Sequence, residues 1–183
     1  MNSEEEPNPM PPAEIDLSVP SLAGLHERRG EKWALFAPDV LSMTIAEMDF
    51  PVAPAIREAV KQVIDRSDLG YGTPASGALR SAVTGFARRR LNWEIDDTQI
   101  SIVPDVMLGI VGLCQLIAGP GGSVGFATPA YPPFFRELAL AGLTTVPVEL
   151  DPDGAIDVAA LDRALDGGIG AFVLVNPHNP TGR

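Results

Sequence analysis

From Gln99 onward the chain alternates short, almost wholly apolar runs with segments of helical periodicity, and this alternation restricts the fold more than any other feature. "QISIV" reads as a strand, "DVMLGIVGLCQLIA" as a helix, "SVGFA" as a strand and "AYPPFFRELALAG" as a helix. "TTVPVEL", "DVAALDRALDG" and "IGAFVLV" continue the series as strand, helix and strand. A strand apolar on nearly every residue has both faces covered, and a helix between successive strands supplies the crossover that parallel pairing requires. The expected architecture is therefore a three-layer α/β/α arrangement around a mainly parallel sheet, with right-handed crossovers. No internal repeat is visible.

Ahead of this region, "APAIREAVKQVIDRS" places Ile56, Val60, Val63 and Ile64 on one helical face. "SGALRSAVTGFARRRLNW" does the same with Leu79, Val83, Phe86 and Leu91, with Ser76 as its expected N-cap. Met1 to about Pro20 is polar and proline-rich, the composition of a mobile arm. The expected division is an arm over residues 1–32, partly disordered, and a folded region over 33–183.

A chain of 183 residues with 45% hydrophobic and 20% charged residues has the composition of one soluble globular domain. The net charge of -11 argues against nucleic acid as a partner, and Arg88-Arg89-Arg90, the one dense basic run, reads as a solvated helix face. Cys114, the only cysteine, rules out an internal disulfide and falls in an apolar stretch as a small buried hydrophobe would. "MNSEEEPNPMPP" lacks the basic start and apolar run of a signal peptide, and no stretch approaches the ~20 apolar residues of a membrane span. The expected location is the cytoplasm.

In parallel sheets ligands bind beyond the carboxyl ends of the strands, which singles out four places. At "PDVM" the chain turns from strand to helix, so the N–H groups of Val106 and Met107 fall in the first helical turn, a natural phosphate seat. The same segment reads equally as an ordinary junction with Asp105 as N-cap, and that acid places negative charge near any phosphate. At "TPAY", Tyr131 could stack on a flat cofactor or simply pack. The "ELDPDG" turn follows the third strand. After the fourth, "NPHNPTGR" carries two Asn-Pro pairs: Asn179 offers an amide donor and acceptor, and X-Pro bonds are the usual sites of cis peptides, although a plain turn has this composition too. "GPGGSVG" does not match G-x-G-x-x-G and leads into a strand, so it reads as a helix-ending turn, and a nucleotide-binding Rossmann fold fails on glycine spacing.

Taken in order, "IAEMDFP", "LGYGTP", "QISIVPDVM", "GFATPAYPPFF" and "AFVLVNPHNPTGR" resemble the fold-type I pyridoxal-phosphate enzymes, and within them the aminotransferase class I/II group. The likeness runs from about Trp33 to Arg183 and tilts, through "EMDFP" and "PAYPPF", towards the MalY/PatB-type carbon-sulfur β-lyases, usually described as cystathionine β-lyases. The resemblance implies pyridoxal 5'-phosphate as cofactor. It implies that the amides of Val106 and Met107 hold its phosphate, Tyr131 stacks on its ring and Asn179 donates to its phenolic oxygen. Tyr71 would reach the phosphate in the neighbouring subunit of a homodimer, and the stretch around Ala46 would line the side of a small amino-acid substrate. Three positions depart from the family pattern: Asp105 stands in place of a glycine, Glu47 in place of an aspartate, and Gly122 in place of the aspartate of a "PGD" turn.

The resemblance also implies a Schiff-base lysine well beyond the N-P-T-G segment, together with an aspartate for the pyridine nitrogen and an arginine for the substrate carboxylate. All three fall after Arg183, and neither Lys32 nor Lys61 fits the lysine's place. The expectation is thus roughly the first half of a C-S lyase that eliminates a thiol and leaves pyruvate and ammonia, with no catalytic lysine within the chain and with strand edges and apolar helix faces uncovered. An aminotransferase shares every residue named, and a catalytically inert binding or dimerisation half-domain is the alternative of a different class.

Overall fold

The computed structural model describes residues 17–72 and 77–183. Contacts divide the chain into two units, one up to Thr73 and one from Pro74 onward. Ser76, the expected N-cap, lies outside the described residues, as does most of the proline-rich start.

The first unit holds α1 (Leu22–His26), α2 (Glu31–Ala34) and α3 (Pro54–Asp65). Ser21 opens α1 by accepting from the Gly24 N–H, and Pro54 opens α3 at a position where its missing N–H costs nothing. The predicted apolar face of α3 forms, but Ile56, Val60 and Ile64 each remain more than half exposed. Asp49 organises the rest of the unit. Its carboxylate accepts from Lys32 Nζ at 2.9 Å and Trp33 Nε1 at 2.8 Å, while Arg28 donates to its backbone carbonyl at 2.9 Å. Lys32, which the sequence places ahead of the ordered pattern, donates also to the Glu47 carbonyl at 2.9 Å. These bonds hold the Asp49 carboxyl below its ordinary range, the Lys32 bond most and the Trp33 bond next.

The second unit begins with α4 (Gly77–Leu91), whose last turn carries Arg88, Arg89 and Arg90, all exposed. Cations there sit favourably at the negative end of the helix dipole, so the basic run has a local role. A single 3-10 turn at Asp97–Gln99 follows, closed by a capping box from Asp96. The segment expected as a first strand, "QISIV", is not one: Ile100 is extended, but no described strand pairs with the segment, and Ile102 and Val103 are about half exposed. Apolar, β-branched residues suffice for an extended backbone, whereas a strand needs a ladder partner.

The remaining elements alternate as expected: α5 (Val106–Ala118), β1 (Ser123–Thr128), α6 (Pro133–Leu140), β2 (Thr144–Glu149), α7 (Val158–Asp166) and β3 (Ala171–Val173). The three strands form one parallel sheet in the order β2-β1-β3, with Phe126 opposite Pro147 on one side and Val173 on the other. Pro147 is tolerated because β2 is an edge strand among the described residues.

The core lies on one face of β1. Val124 and Phe126, both fully buried, pack with Cys114 of α5, Phe134 and Leu138 of α6, and Leu143. Burying side chains of this size stabilises by roughly 1.5–3 kcal/mol each. Cys114 is thus the buried hydrophobe its context predicted, and burial pushes its thiol pKa up. The opposite face of β1 carries Gly125, where a Cβ would stand 2.8 Å from Ile169 Cδ1 and 3.0 Å from Phe172 Cδ2, so Ile169 and Phe172 fill the space that a side chain at 125 would take. "GPGGSVG" ends α5 as expected: Gly119, at φ 76°, returns its N–H to the Gln115 carbonyl. At Gly122 an added Cβ would collide with the Ala118 carbonyl, a steric reason for glycine where the resembling enzymes carry aspartate.

Candidate functional site

The carboxyl ends of β1 and β3 and the start of α5 enclose a cleft of about 700 Å³. Asp105, Tyr131, Asn176 and Asn179 supply its polar side chains, Val106 and Met107 the first helical turn, and Ile110, Phe134 and Val173 to Val175 its remaining apolar lining. Four of the five candidate residues therefore meet in one place. Tyr71, the fifth, lies in the first unit with its side chain fully exposed.

Each wall has a local cause. Asp105 caps α5 in an extended conformation: its Oδ1 accepts from the Leu108 N–H at 2.8 Å and its carbonyl from the Gly109 N–H at 3.2 Å. The N-cap reading of this junction holds, and the cap uses the third N–H of the helix, leaving those of Val106 and Met107 without an acceptor. Free amides at the positive end of a helix dipole are the kind of group that can accept an anion. Asp105 is the only carboxylate among the residues lining the cleft and none of them is basic, so no side chain there offsets its charge.

Tyr131 follows the cis Thr128–Pro129 bond and packs edge-on against Phe134, with ring centroids 5.8 Å apart. It is 41% exposed and lines the cleft. The closing loop contains the cis bonds Asn176–Pro177 and Asn179–Pro180, as the two Asn-Pro pairs suggested. It folds back on itself, with the His178 N–H donating to the Arg183 carbonyl at 2.7 Å and the Gly182 N–H to the His178 carbonyl at 2.7 Å. Asn176 and Asn179 face the cleft.

Two outcomes differ from the sequence reading. The "ELDPDG" turn contributes nothing to the cleft lining: Asp151 Oδ1 is spent on the N–H groups of Asp153 and Ala155, closing its own turn. His178, to which the sequence assigns no role, is buried and its Nε2 lies 2.8 Å from the Pro129 carbonyl, joining the two loops that carry Tyr131 and Asn179. The available signal was a lone imidazole locked between two Asn-Pro pairs in a chain with only two histidines. Among the described residues no group of His, Cys, Asp and Glu could hold a metal ion, and no helix is long and apolar enough to cross a membrane.

Residues 38–183 match the aminotransferase class I and II family, and the chain belongs to that family. Within it, the chain is similar to cystathionine beta-lyase of Corynebacterium glutamicum, 32% identical over 166 residues that cover 91% of this chain and 44% of that protein. It is also similar to cystathionine beta-lyase PatB of Bacillus subtilis, 35% identical over 149 residues covering 79% and 38%. The crystal structure of cystalysin from Treponema denticola, which contains a pyridoxal 5'-phosphate cofactor, superposes with a TM-score of 0.74 at 27% identity, covering 85% of this chain and 42% of that one. The chain thus spans about two fifths of the length of these relatives.

Proposed function

We propose that this chain forms the phosphate- and ring-binding part of a pyridoxal-phosphate-dependent carbon-sulfur β-lyase that acts on cystathionine or cysteine conjugates. The observation that carries the proposal is the convergence of the free Val106 and Met107 amides, the half-exposed Tyr131 and Asn179 on one cleft of suitable size. The fit is good in kind: donors for a dianion at one end, an apolar floor and an aromatic wall for a flat ring, and an amide for a ring oxygen. Bound pyridoxal phosphate supplies an electron sink for the negative charge that develops when the substrate loses its α-proton.

In this reading the Val106 and Met107 N–H groups hold the phosphate, Tyr131 packs on the ring and limits its tilt, and Asn179 donates to the phenolic oxygen. The floor of Ile110, Phe134 and Val173 keeps water from the reacting face. The lining residues include no lysine, so proton transfer at the α-carbon falls to a group outside this set. Tyr71, fully exposed in its own unit, would complete the phosphate site of a second subunit in a homodimer. A small amino-acid substrate and a cytoplasmic location complete the proposal.

The names of the Corynebacterium and Bacillus relatives support the lyase reading, while the family as a whole keeps an aminotransferase as the second one. Supplying L-cystathionine to a lysine-bearing full-length form and measuring pyruvate against keto-acid-dependent amino transfer separates them. Pyruvate release supports the lyase; amino transfer without pyruvate removes it.

A further inference from the structure

We propose that His178 is a positioning residue, a clamp that fixes the loop bearing Asn179 to the loop bearing Tyr131 and thereby sets the two walls of the cleft. The imidazole is 7% exposed, and its Nε2 lies 2.8 Å from the carbonyl of Pro129, 49 residues away in the chain. A carbonyl oxygen can only accept, so Nε2 carries the hydrogen, in the neutral tautomer and in the cation alike. The side chain is absent from the cleft lining and borders a separate cavity of about 340 Å³ together with Leu150, Ile156 and Arg183. His178 and its neighbour Asn179 thus border different cavities, the first to hold and the second to be held.

Among the described residues, no other side-chain or backbone hydrogen bond links 176–183 to 128–132. The ladder between β1 and β3 ends at Phe126 and Val173, short of both loops. Without the clamp, the separation of Tyr131 from Asn179 rests on packing alone, and a misplacement of about 1 Å in a binding constellation is enough to matter. The functional half of the inference rests on the cofactor reading above; the clamp itself does not.

The test compares the chain with His178→Phe, which keeps a ring and loses the donor, and His178→Gln, whose side-chain N–H can still reach the carbonyl. Amide hydrogen exchange over 127–131 and 176–182 reports the clamp without any ligand. Equilibrium dialysis of pyridoxamine 5'-phosphate, which carries the same ring and phosphate and needs no lysine, reports the cleft. His178→Phe is expected to speed exchange in both loops by about tenfold, the weight of one ordinary hydrogen bond, and to weaken binding by a similar factor. His178→Gln is expected within about threefold of the wild type in both readouts, a small part of that hydrogen-bond weight.

Unchanged exchange over 127–131 in His178→Phe would overturn the clamp, as would a His178→Gln variant as impaired as His178→Phe. Faster exchange with unchanged binding would leave the clamp standing and overturn its bearing on the cleft. A wild-type chain that does not bind pyridoxamine phosphate removes the cofactor reading, and exchange still decides the clamp. Should His178→Phe lose its native circular dichroism, His178→Gln decides alone, with loss of exchange protection in either loop as the overturning result.

Discussion

Asp105 is asked to do two things that pull against each other, and substitutions can separate them. Its carboxylate caps α5 through the Leu108 N–H at 2.8 Å, and it stands immediately before the two amides that would hold a phosphate. Asp105→Asn keeps a capping oxygen and removes the charge. Asp105→Ala removes both, and Asp105→Gly removes both while restoring a residue that helix starts tolerate. Loss of a cap to alanine costs about 1 kcal/mol and to glycine a few tenths, whereas asparagine caps as well as aspartate. In thermal unfolding, Asp105→Ala should therefore lower Tm by about 4 °C and Asp105→Asn should leave it nearly unchanged. A carboxylate about 4 Å from an anion in water-like surroundings costs it about 1 kcal/mol, and less at a greater distance. All three variants should thus bind pyridoxamine phosphate about two- to fivefold more tightly, the ratio given by that energy, and the gain should shrink in high salt. Circular dichroism gives the first quantity and calorimetric titration the second. If Asp105→Asn bound the ligand more weakly than the wild type, the anion would not sit on these amides. If Asp105→Ala were as stable as the wild type, the cap would carry no weight.

Three further outcomes follow from the packing and the charges. Leu138→Ala, at a fully buried core position, should destabilise the second unit by about 2–5 kcal/mol in urea denaturation, and a cost below about 1 would mean that the cluster around Phe126 is not the core. Gly122→Asp, which restores the residue of the resembling enzymes, should be damaging because its Cβ meets the Ala118 backbone, with a cost at the upper end of overpacking, about 3 kcal/mol; a neutral result by the same assay would refute the steric reason. Asp49, held below its ordinary value of 3.8 chiefly by Lys32 and then by Trp33, contributes stability that is fully present above that value and is lost as pH falls through the lower folded value. Monitored by Trp33 emission with Trp93→Phe, the wild type and Asp49→Asn should differ at neutral pH and converge below pH 3.8; a constant gap would sink the assignment.

Much of this was legible before any coordinates because the relevant signals are local. Apolar runs alternating with helical periodicity specified β1, β2, β3 and the helices between them, and Gly119 marked the end of α5 through a backbone conformation that glycine adopts readily. The strand expected at "QISIV" failed because pairing is not a property of the segment, and Ile102 and Val103 remain half exposed. Periodicity likewise predicted the faces of α3 and α4 but not what covers them, and Ile56, Val60, Leu79 and Phe86 are open to solvent. At the site, Val106, Met107, Tyr131 and Asn179 were readable because each follows a strand or begins a helix. His178 was not, since its partner lies 49 residues away and only the folded chain brings Pro129 within reach. The role of Asp49 escaped for the same reason: its partners Lys32 and Trp33 come from a part of the sequence with no periodic pattern.

The central claim is that one cleft at the carboxyl edge of the sheet holds a phosphorylated pyridine ring. Its most direct test is amide chemical-shift perturbation as pyridoxamine 5'-phosphate is added to the chain. Saturable shifts of the Val106 and Met107 backbone amides and of the Asn179 side-chain amide are expected, all with a single dissociation constant. Shifts that never saturate, or that leave Val106 and Met107 unmoved while residues outside the cleft respond, would contradict it.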